Sequence, residues 1–364
     1  MNKLRIGFLS TAGIGRKNWK AIFSSGNCTV SAVASRDLER SRRFIADCQR
    51  ETPFETPPSP LASYEELIAS REVDAVYIPL PTGLRLEWVR RAAEAGKHVL
   101  CEKPCAVSLA ELQEMIAACR KNRVQFMDGV MFMHSPRLAR IREFLDDGKS
   151  VGPVRRISSA FSFLGSGDFS SNNIRVHGAL EPAGCLGDLG WYSIRFALWT
   201  MNWQLPHEVT GRILSQSNAI SGRPSSPTEF SGELIFDGNV SMGFYCSFLA
   251  AFQQWVTLGG EKGWLHLPDF VHPFNSYEPA FVANRAEITV GDGGAKCPSG
   301  VDPMLQGHAT AQDTRMFRNF ANQVFSGKLN EDWPMWALKT QRVLDACFQS
   351  AQETGKPVRL EAGL

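Results

Sequence analysis

The hydrophobic positions in the first third of the chain form two alternating patterns. Short, nearly continuous apolar runs predict strands at Leu4–Leu9, Thr29–Ser35, Val73–Leu80, His98–Cys101 and Val124–Asp128. Between these runs, apolar residues recur about once per helical turn, and Ser63-x-x-Glu66 and Ser108-x-x-Glu111 have the spacing of helix caps. Strands that alternate with amphipathic helices predict a parallel sheet covered on both faces.

After about Gly129 the pattern becomes that of an antiparallel sheet. Alternating polar and apolar positions predict strands at 154–163, 208–217, 232–249, 253–260 and 263–268, with a hairpin turn at Phe236–Asn239. Helices are predicted at 136–147, from about Asp188, at 309–325 and at 333–354, and the segment 291–307 reads as a loop. The sequence therefore predicts an α/β N-terminal domain and an α+β C-terminal domain with a large, mostly antiparallel, open-faced sheet.

Composition and charge exclude several kinds of partner. The 364 residues carry a formal net charge of +2, so neither nucleic acid nor an anionic membrane is indicated. No apolar run approaches the roughly 20 residues that span a bilayer, and the N-terminus lacks the pattern of a signal peptide, which predicts a soluble cytoplasmic protein. The nine cysteines are scattered in apolar contexts, which predicts reduced, buried thiols, and no Cys/His cluster indicates a metal site.

The turn after the first strand has small residues where a phosphate could bind. Its residues are Ser10, Thr11, Ala12, Gly13, Ile14 and Gly15. A dinucleotide-binding fold needs such residues here, because backbone amides at the helix N-terminus must reach a pyrophosphate. The strict G-x-G-x-x-G sequence is absent, since glycines stand only at positions 13 and 15. Taken alone, the turn fits a tight strand-to-helix connection equally well.

The end of the second strand indicates which dinucleotide binds. Sites that prefer NAD place Asp or Glu at this position to accept hydrogen bonds from the ribose hydroxyls. Here Ser35 is followed by Arg36, with Arg40 four residues further on. A carboxylate would repel a 2′-phosphate, whereas a hydroxyl and guanidinium groups would bind it. We therefore predict NADP(H) as the cofactor, against the alternative that both arginines form a solvated helix face.

Two more strand ends point to the same edge of the sheet. Pro79, Leu80, Pro81 and Thr82 lie at the end of the third strand, and Glu102, Lys103 and Pro104 follow the fourth. Ligands bind at the carboxyl ends of parallel strands, so both segments are predicted to line the cofactor site. Lys103 would lie near the nicotinamide and donate to a substrate hydroxyl, with Glu102 orienting it. The alternatives are a structural loop and an ordinary surface Lys-Pro.

These segments resemble the Gfo/Idh/MocA family, which includes glucose-fructose oxidoreductase and inositol dehydrogenase. Ala92–Pro104 contains A-x-x-G-K-H-V-L-C-E-K-P, and VYIPLPTGLRLEW matches I-P-L-P-N-x-x-H-x-E-W except that Thr82 and Arg85 replace Asn and His. Gly184–Tyr192 resembles G-G-x-L-x-D-x-G-x-Y/H. The resemblance covers essentially the whole chain. It implies an NADP-binding Rossmann domain at 1–128 and a substrate-binding and oligomerisation domain at 129–364.

The resemblance also implies roles for individual residues. Lys103 would be catalytic, and Tyr192 would exchange the hydroxyl proton, helped by Lys103 and by Asp188 four residues earlier on one helix face. Tyr rather than His at position 192 indicates the branch of xylose dehydrogenases and dihydrodiol dehydrogenases, which favours NADP. In the dihydrodiol dehydrogenases two arginines spaced like Arg36 and Arg40 hold the 2′-phosphate. Arg175 and Trp191 are candidate substrate contacts, with an ion pair at a loop base as the alternative for Arg175.

The resulting functional prediction is hydride transfer between NADP(H) and a carbinol or carbonyl carbon of a sugar, polyol or dihydrodiol. A nucleotide-sugar ketoreductase and a non-catalytic dinucleotide-binding regulator remain as alternatives. His134 and His177 are further candidates for the cleft, although a lone histidine is more often structural. A homodimer or homotetramer is predicted through the C-terminal sheet, because Ser241–Phe252 carries an apolar stripe that needs a cover.

Overall fold

The computed structural model describes residues 3–167, 169, 173–219, 224–274, 281–284, 287–288, 295–296, 299–301, 311–361 and 363. The chain forms two compact units: unit 1 contains residues 1–134 and 308–341, and unit 2 contains residues 135–307 and 342–364. This division differs from the predicted boundary after residue 128, because the chain returns to unit 1 after residue 307.

The regular elements are numbered here along the chain. The strands are β1 (Leu4–Leu9), β2 (Cys28–Ala34), β3 (Ser59–Leu61), β4 (Ala75–Ile78), β5 (His98–Cys101), β6 (Phe126–Asp128), β7 (Val154–Ser162), β8 (Glu208–Gln216), β9 (Pro227–Phe236), β10 (Val240–Ser247), β11 (Gln253–Gly260), β12 (Trp264–Leu267), β13 (Val282–Asn284), β14 (Glu287–Ile288), β15 (Ala295–Lys296), β16 (Ser299–Val301) and β17 (Val358–Arg359). The helices are α1 (Ile14–Ser25), α2 (Leu38–Glu51), α3 (Tyr64–Ala69), α4 (Arg85–Glu94), α5 (Leu109–Lys121), α6 (Pro136–Asp146), α7 (Trp191–Thr200), α8 (Gln312–Phe325) and α9 (Asp332–Gln352).

Unit 1 is built on a six-stranded sheet with the order β3-β2-β1-β4-β5-β6, and every pair is parallel. The predicted parallel sheet is therefore confirmed. The serine caps are also confirmed, since Ser63 Oγ accepts from Glu66 N at 3.1 Å and Ser108 Oγ accepts from Glu111 N at 3.3 Å. Strand β3 was not predicted; it is a short edge strand, where a proline such as Pro60 is tolerated.

Helix α8 completes the core of unit 1. The rings of Phe8 and Tyr77 lie 5.1 Å apart in the sheet, and Phe317 of α8 lies 6.1 Å from Tyr77. Arg318 of α8 donates to the carbonyl of Ser25 at the end of α1, 3.0 Å away. Because these apolar residues are fully buried, the return of the chain after residue 307 belongs to the hydrophobic core of this unit.

Unit 2 contains a nine-stranded sheet with the order β16-β13-β12-β11-β7-β10-β9-β8-β17. All its pairs are antiparallel except β7 with β10. The predicted antiparallel sheet is confirmed, and β9 and β10 join through the predicted turn at Asp237–Asn239. The predicted loop 291–307 lies largely outside the described residues, although β15 and β16 fall within it.

The two faces of this sheet differ in chemistry. Along β10, Val240, Met242, Phe244 and Cys246 are buried, whereas Ser241, Gly243 and Tyr245 alternate with them on the other face. These four apolar residues of the predicted stripe therefore pack inside unit 2, and an oligomer interface through the sheet stays a prediction. The stripe faces the interior of unit 2 itself, because side chains alternate across a strand and one face of the sheet must be covered.

Helix α7 is a buried helix of unit 2. All of its residues except Trp199 are buried, and Ser193 Oγ lies 2.9 Å from Ser159 Oγ of β7. A five-residue π-helical turn, Leu186–Gly190, leads into it. Just before this turn, Gly184 has a φ of +47°, and a Cβ there would lie 2.1 Å from the carbonyl oxygen of Pro227. The glycine-rich sequence therefore permits a close backbone approach that fixes where α7 starts.

Three further properties concern the described residues as a whole. No helix among them is long and apolar enough to cross a membrane. Their His, Cys, Asp and Glu side chains form no group of three or more that could hold a metal ion. Their eight cysteines are all free thiols and all buried, as predicted, while Cys297 lies outside the described residues.

Candidate active site

The predicted phosphate turn lies at the carboxyl end of β1. Ser10 has a φ of 140°, and its Oγ accepts a hydrogen bond from Ala12 N at 3.3 Å. Gly13 precedes α1, and a Cβ built on it would meet nothing within 4 Å. At Gly15, by contrast, a Cβ would lie 3.1 Å from the Phe44 ring. Gly15 is therefore needed for packing, while the space beside Gly13 is open for a ligand to approach the backbone.

Ser35, Arg36 and Arg40 lie together at the carboxyl end of β2. Ser35 is only 5% exposed, whereas both arginines are exposed. Neither guanidinium forms an ion pair with any residue that the structure describes. Burial raises the pKa of the Tyr64 hydroxyl, and the charges of Arg36 and Arg40 act in the opposite direction, so both arginines lie near Tyr64. Two unpaired guanidinium groups beside a serine hydroxyl fit a phosphate.

An acid beside these residues was not considered from the sequence. Asp37 caps α2 by accepting from Glu39 N at 2.9 Å, and its own N–H donates to Ser35 Oγ at 3.3 Å. A carboxylate that accepts from a helix N-terminus is already engaged. In the sequence, the position of Asp37 just before α2 identifies it as a helix N-cap rather than as an acid that accepts hydrogen bonds from a ribose.

The segments after β4 and β5 lie side by side. Leu80 and Thr82 are buried, and a 3₁₀ turn at Thr82–Leu84 leads directly into α4. The Lys103–Pro104 peptide bond is cis. Glu102 N donates to Ile78 O at 3.2 Å as the last bond between these two strands. The predicted lining residues of this part of the sheet edge are therefore brought together within unit 1.

Two side chains that were not predicted to lie near Glu102 hold its carboxylate in place. Tyr77 Oη donates to Glu102 Oε1 at 2.6 Å, and Asn18 Nδ2 donates to Tyr77 Oη at 2.6 Å. Burial, followed by the charge of Glu102, raises the pKa of Tyr77 well above its ordinary value, so the phenol stays protonated and donates. Tyr77 is the one polar residue in an otherwise apolar strand, which is the sequence signal that could have identified it.

A second group of candidate residues lies in unit 2. Arg175 Nε donates to Asp188 Oδ2 at 2.9 Å. The charge of Asp188, opposed by burial, raises the pKa of Arg175, and Tyr192 adds a smaller contribution in the same direction. The three side chains therefore form one cluster, which we call the Arg175–Asp188–Tyr192 cluster. For Arg175, the structure shows the ion pair that was the alternative to a substrate contact.

The local structure of this cluster differs from the expected helix. Asp188 lies in the π-helical turn, and Tyr192 lies in the first turn of α7, so the two residues do not belong to one regular helix. Tyr192 is 4% exposed, and its ring centroid lies 5.7 Å from that of Phe161, which in turn lies 6.3 Å from the His272 ring. An aromatic wall thus borders the phenol.

Three other candidates have different surroundings. Trp191 has no exposed surface, and the Arg195 guanidinium lies 5.8 Å from its ring, while its substrate contact stays a prediction. His134 Nδ1 lies 3.1 Å from Asn319 Nδ2, and its ring packs near Trp333, which is a structural setting. His177 Nδ1 is buried and has no hydrogen-bond partner among the described residues.

Comparison with known proteins agrees with this architecture. The family model for the oxidoreductase family with an NAD-binding Rossmann fold matches residues 4–130, and the model for the GFO/IDH/MocA C-terminal domain matches residues 138–266. The first match identifies residues 4–130, which lie in unit 1, as the NAD-binding Rossmann domain of an oxidoreductase family. The chain belongs to the GFO/IDH/MocA family, and the predicted resemblance is confirmed.

Individual relatives cover nearly the whole chain. D-xylose 1-dehydrogenase (NADP(+)) 2 of Haloferax volcanii is 30% identical over 98% of this chain and 100% of its own length. A dTDP-3,4-didehydro-2,6-dideoxy-α-D-glucose 3-reductase of Actinomadura kijaniata is 27% identical over 97% of each chain. A 3-ketoreductase from the same organism, solved with NADP and TDP-benzene, has a TM-score of 0.80 at 24% identity, covering 96% of this chain and 98% of that one.

The backbone of Ser10 yields a stability prediction. A φ of 140° is common for glycine and costs an L side chain about 1–3 kcal/mol. Ser10→Gly and Ser10→Ala both remove the hydroxyl, so their difference reports the backbone alone. We expect Ser10→Gly to be the more stable by about 1 kcal/mol in urea unfolding, which reverses the usual advantage of alanine. Equal stability, or a more stable Ser10→Ala, would show that this backbone is unstrained.

Proposed function

We propose that this protein is an NADP(H)-dependent oxidoreductase that interconverts a carbinol and a carbonyl on a sugar-like substrate, with polyols and dihydrodiols as related classes. The observation that carries the proposal is the Arg175–Asp188–Tyr192 cluster, which sets the nearly buried phenol of Tyr192 near a more exposed ion pair between Arg175 and Asp188. A phenol in such surroundings is suited to proton exchange with a hydroxyl. The 30% identity to a xylose dehydrogenase makes aldoses the first substrate class to test.

The residues at the sheet edge of unit 1 fit NADP. The open space beside Gly13 suits a pyrophosphate at the start of α1, and Ser35, Arg36 and Arg40 suit a 2′-phosphate. We assign the rest of the binding site to Pro79, Leu80, Pro81, Thr82, Glu102 and Lys103, together with the turn at 10–15. When bound, NADP(H) supplies or accepts the hydride at its nicotinamide ring.

The protein's own groups handle the proton. We assign Tyr192 Oη as the atom that takes the proton from a substrate hydroxyl or returns it to a carbonyl oxygen. An ordinary phenol has a pKa of about 10, so proton acceptance near neutral pH requires a cation close by. Arg175 is such a cation within unit 2. We assign Lys103 of unit 1 a hydrogen bond from its ammonium to the substrate oxygen.

A second candidate function uses the same residues on a different substrate. The 27% identity to a nucleotide-sugar 3-reductase over 97% of the chain favours a ketoreductase that acts on a nucleotide-linked keto sugar. Tyr192 would then donate its proton to the keto oxygen, and Lys103 would keep its role. A non-catalytic regulator, the remaining alternative, would need neither Lys103 nor the Arg175–Asp188–Tyr192 cluster.

We also propose that two copies associate through the open face of the unit 2 sheet. The central residues of this face are small (Ser158, Ala160, Ser231 and Gly243), and they form the floor of a groove of about 550 Å³. Tyr245 and Trp255 stand beside this floor, and Arg156 pairs with Glu233 across it. A flat face with small residues and aromatic borders allows close contact between two sheets, and a second copy presents the same surface.

The catalytic proposal predicts NADP⁺ reduction with one class in a panel of aldoses, polyols and trans-dihydrodiols, followed by absorbance. Tyr192→Phe should lower kcat by about 10²–10⁴-fold, because only the proton-exchanging hydroxyl is removed. Its NADPH affinity, measured by fluorescence, should be unchanged. Tyr245→Phe also removes one phenol hydroxyl and is the matched control, with light scattering to verify that its mass equals that of the wild type. Turnover largely retained in Tyr192→Phe would refute its role, and turnover only with nucleotide-linked keto sugars would favour the second candidate.

The cofactor assignment predicts a change in nucleotide preference. Arg36→Ala/Arg40→Ala removes two charge-assisted contacts to the 2′-phosphate, so NADPH should bind at least about tenfold more weakly while NADH binding changes little. Fluorescence titration with both nucleotides measures the ratio. Arg42→Ala is the control, because Arg42 lies on the same helix and pairs with Glu39. Equal weakening of both nucleotides would contradict the 2′-phosphate assignment.

The assembly proposal predicts a monomer when the open face is blocked. Ser231→Arg places a long charged side chain on the floor of the groove, and light scattering should then show a halved mass or less. Lys149→Glu, at an exposed turn, should leave the mass unchanged. A wild-type protein that is monomeric at micromolar concentration, or a Ser231→Arg variant with the wild-type mass, would refute this interface.

A further inference from the structure

Three main-chain carbonyls after β4 and β5, those of Leu80, Glu102 and Pro104, accept hydrogen bonds from side chains. The ladder between these strands ends with the bond from Glu102 N to Ile78 O. Beyond it stand three prolines, Pro79, Pro81 and Pro104, and a proline carries no N–H group. Because buried carbonyls require hydrogen-bond partners, this corner of the sheet needs donors from side chains.

Arg85 supplies these donors. It lies at the start of α4 and is only 5% exposed. Its Nε donates to Leu80 O at 2.7 Å, and its Nη1 donates to Glu102 O at 2.6 Å and also to Pro104 O. A guanidinium holds its N–H groups in one rigid plane, so a single side chain fixes these carbonyls relative to one another.

Thr82 shares one of the acceptors. Its Oγ1 donates to Pro104 O at 3.4 Å, and the residue is 2% exposed. Thr82 and Arg85 are also the two positions at which this chain departs from the motif I-P-L-P-N-x-x-H-x-E-W. The two residues that differ from the motif therefore both donate to the carbonyl oxygen of Pro104, which indicates that they act together.

The opposite side of the Glu102–Pro104 turn is held through a side chain. The Glu102 carboxylate accepts from Tyr77 Oη and packs against Gly129, where a Cβ would lie 3.0 Å from the carboxylate oxygen. The main chain of the turn is thus fixed by Arg85, and its Glu102 side chain is fixed by Tyr77. Lys103 is flanked by Glu102 and Pro104, whose main-chain carbonyls accept from Arg85, and the Glu102 side chain accepts from Tyr77. These contacts fix the backbone from which the Lys103 side chain extends.

We propose that Arg85, acting with Thr82, is a positioning residue that fixes the Glu102–Pro104 turn and so sets the place of the Lys103 ammonium. This inference rests on the proposed function, in which Lys103 contacts the substrate oxygen. Arg85 itself is not a catalytic residue, because its hydrogen bonds are to main-chain carbonyls. Its effect should be larger on the chemical step, which depends on Lys103, than on cofactor affinity, because the turn at 10–15 and Ser35, Arg36 and Arg40 hold NADP without Arg85.

The kinetic test compares substitutions of Arg85 with one another. Arg85→His should lower kcat by about 10- to 100-fold, the effect of a small displacement of a catalytic group, without a matching loss of NADPH affinity. Arg85→Lys should also lose turnover, since an ammonium cannot present the same planar set of donors. Thr82→Asn/Arg85→His, which restores both motif residues, should be more active than Arg85→His alone. Arg90→Ala, an exposed arginine on the same helix, is the control.

A second measurement needs neither cofactor nor turnover. Hydrogen exchange of the cofactor-free protein should be faster at residues 102–106 in Arg85→His and unchanged there in Arg90→Ala, with similar melting temperatures confirming that both variants fold. Unchanged exchange in Arg85→His, or full turnover despite faster exchange, would overturn the inference. A wild type that turns over no substrate would refute the proposed function instead, and the exchange result would then decide alone whether Arg85 holds the turn.

Discussion

The site in unit 1 depends on one property of parallel sheets: their strands end at the same edge, and the chain beyond each end has lost its ladder partners. Each segment at this edge satisfies its backbone groups differently. After β1, Ser10 Oγ accepts from Ala12 N, and after β2, Asp37 caps the next helix. After β4 and β5, where prolines remove donors, Arg85 supplies them. The ends of these strands thus carry backbone groups that nearby side chains must satisfy.

Unit 2 also has polar groups that need partners, and they lie beside a buried helix. Helix α7 is almost fully buried, and the π-helical turn before it brings Asp188 near Arg175. A carboxylate with 18% side-chain exposure is costly without a partner, and Arg175 is the partner that the fold provides. The same ion pair places a cation near the Tyr192 phenol. One contact therefore stabilises the local structure and sets the electrostatics of the proposed proton exchange.

The sequence correctly predicted features that depend on residues close together in the chain. Strands β5 and β11 have the predicted ends, and Ser63 and Ser108 are caps, because periodicity and capping depend on a few neighbouring residues. Family motifs likewise identified the turn around Lys103 and the region of Tyr192. These motifs are short and continuous in the sequence.

Determinants that join distant residues could not be predicted in this way. The bond between Tyr77 and Glu102 spans 25 residues, and the return of α8 to unit 1 spans almost the whole chain. The side of the sheet to which the β10 stripe points depends on which helices cover it, and a period of two cannot distinguish the faces. Burial cannot be read from a sequence either: Trp191, a predicted substrate contact, has no exposed surface.

The central claim is that this chain moves a hydride between a carbinol carbon and NADP. The most direct measurement is isotope transfer from an aldose deuterated at its oxidised carbon, with NADP⁺ and the purified protein, followed by mass spectrometry and NMR of the recovered cofactor. The account predicts deuterium at C4 of the nicotinamide, on one face only, and a slower reaction than with the unlabelled aldose when the chemical step limits turnover. Reduced cofactor without deuterium would contradict the account.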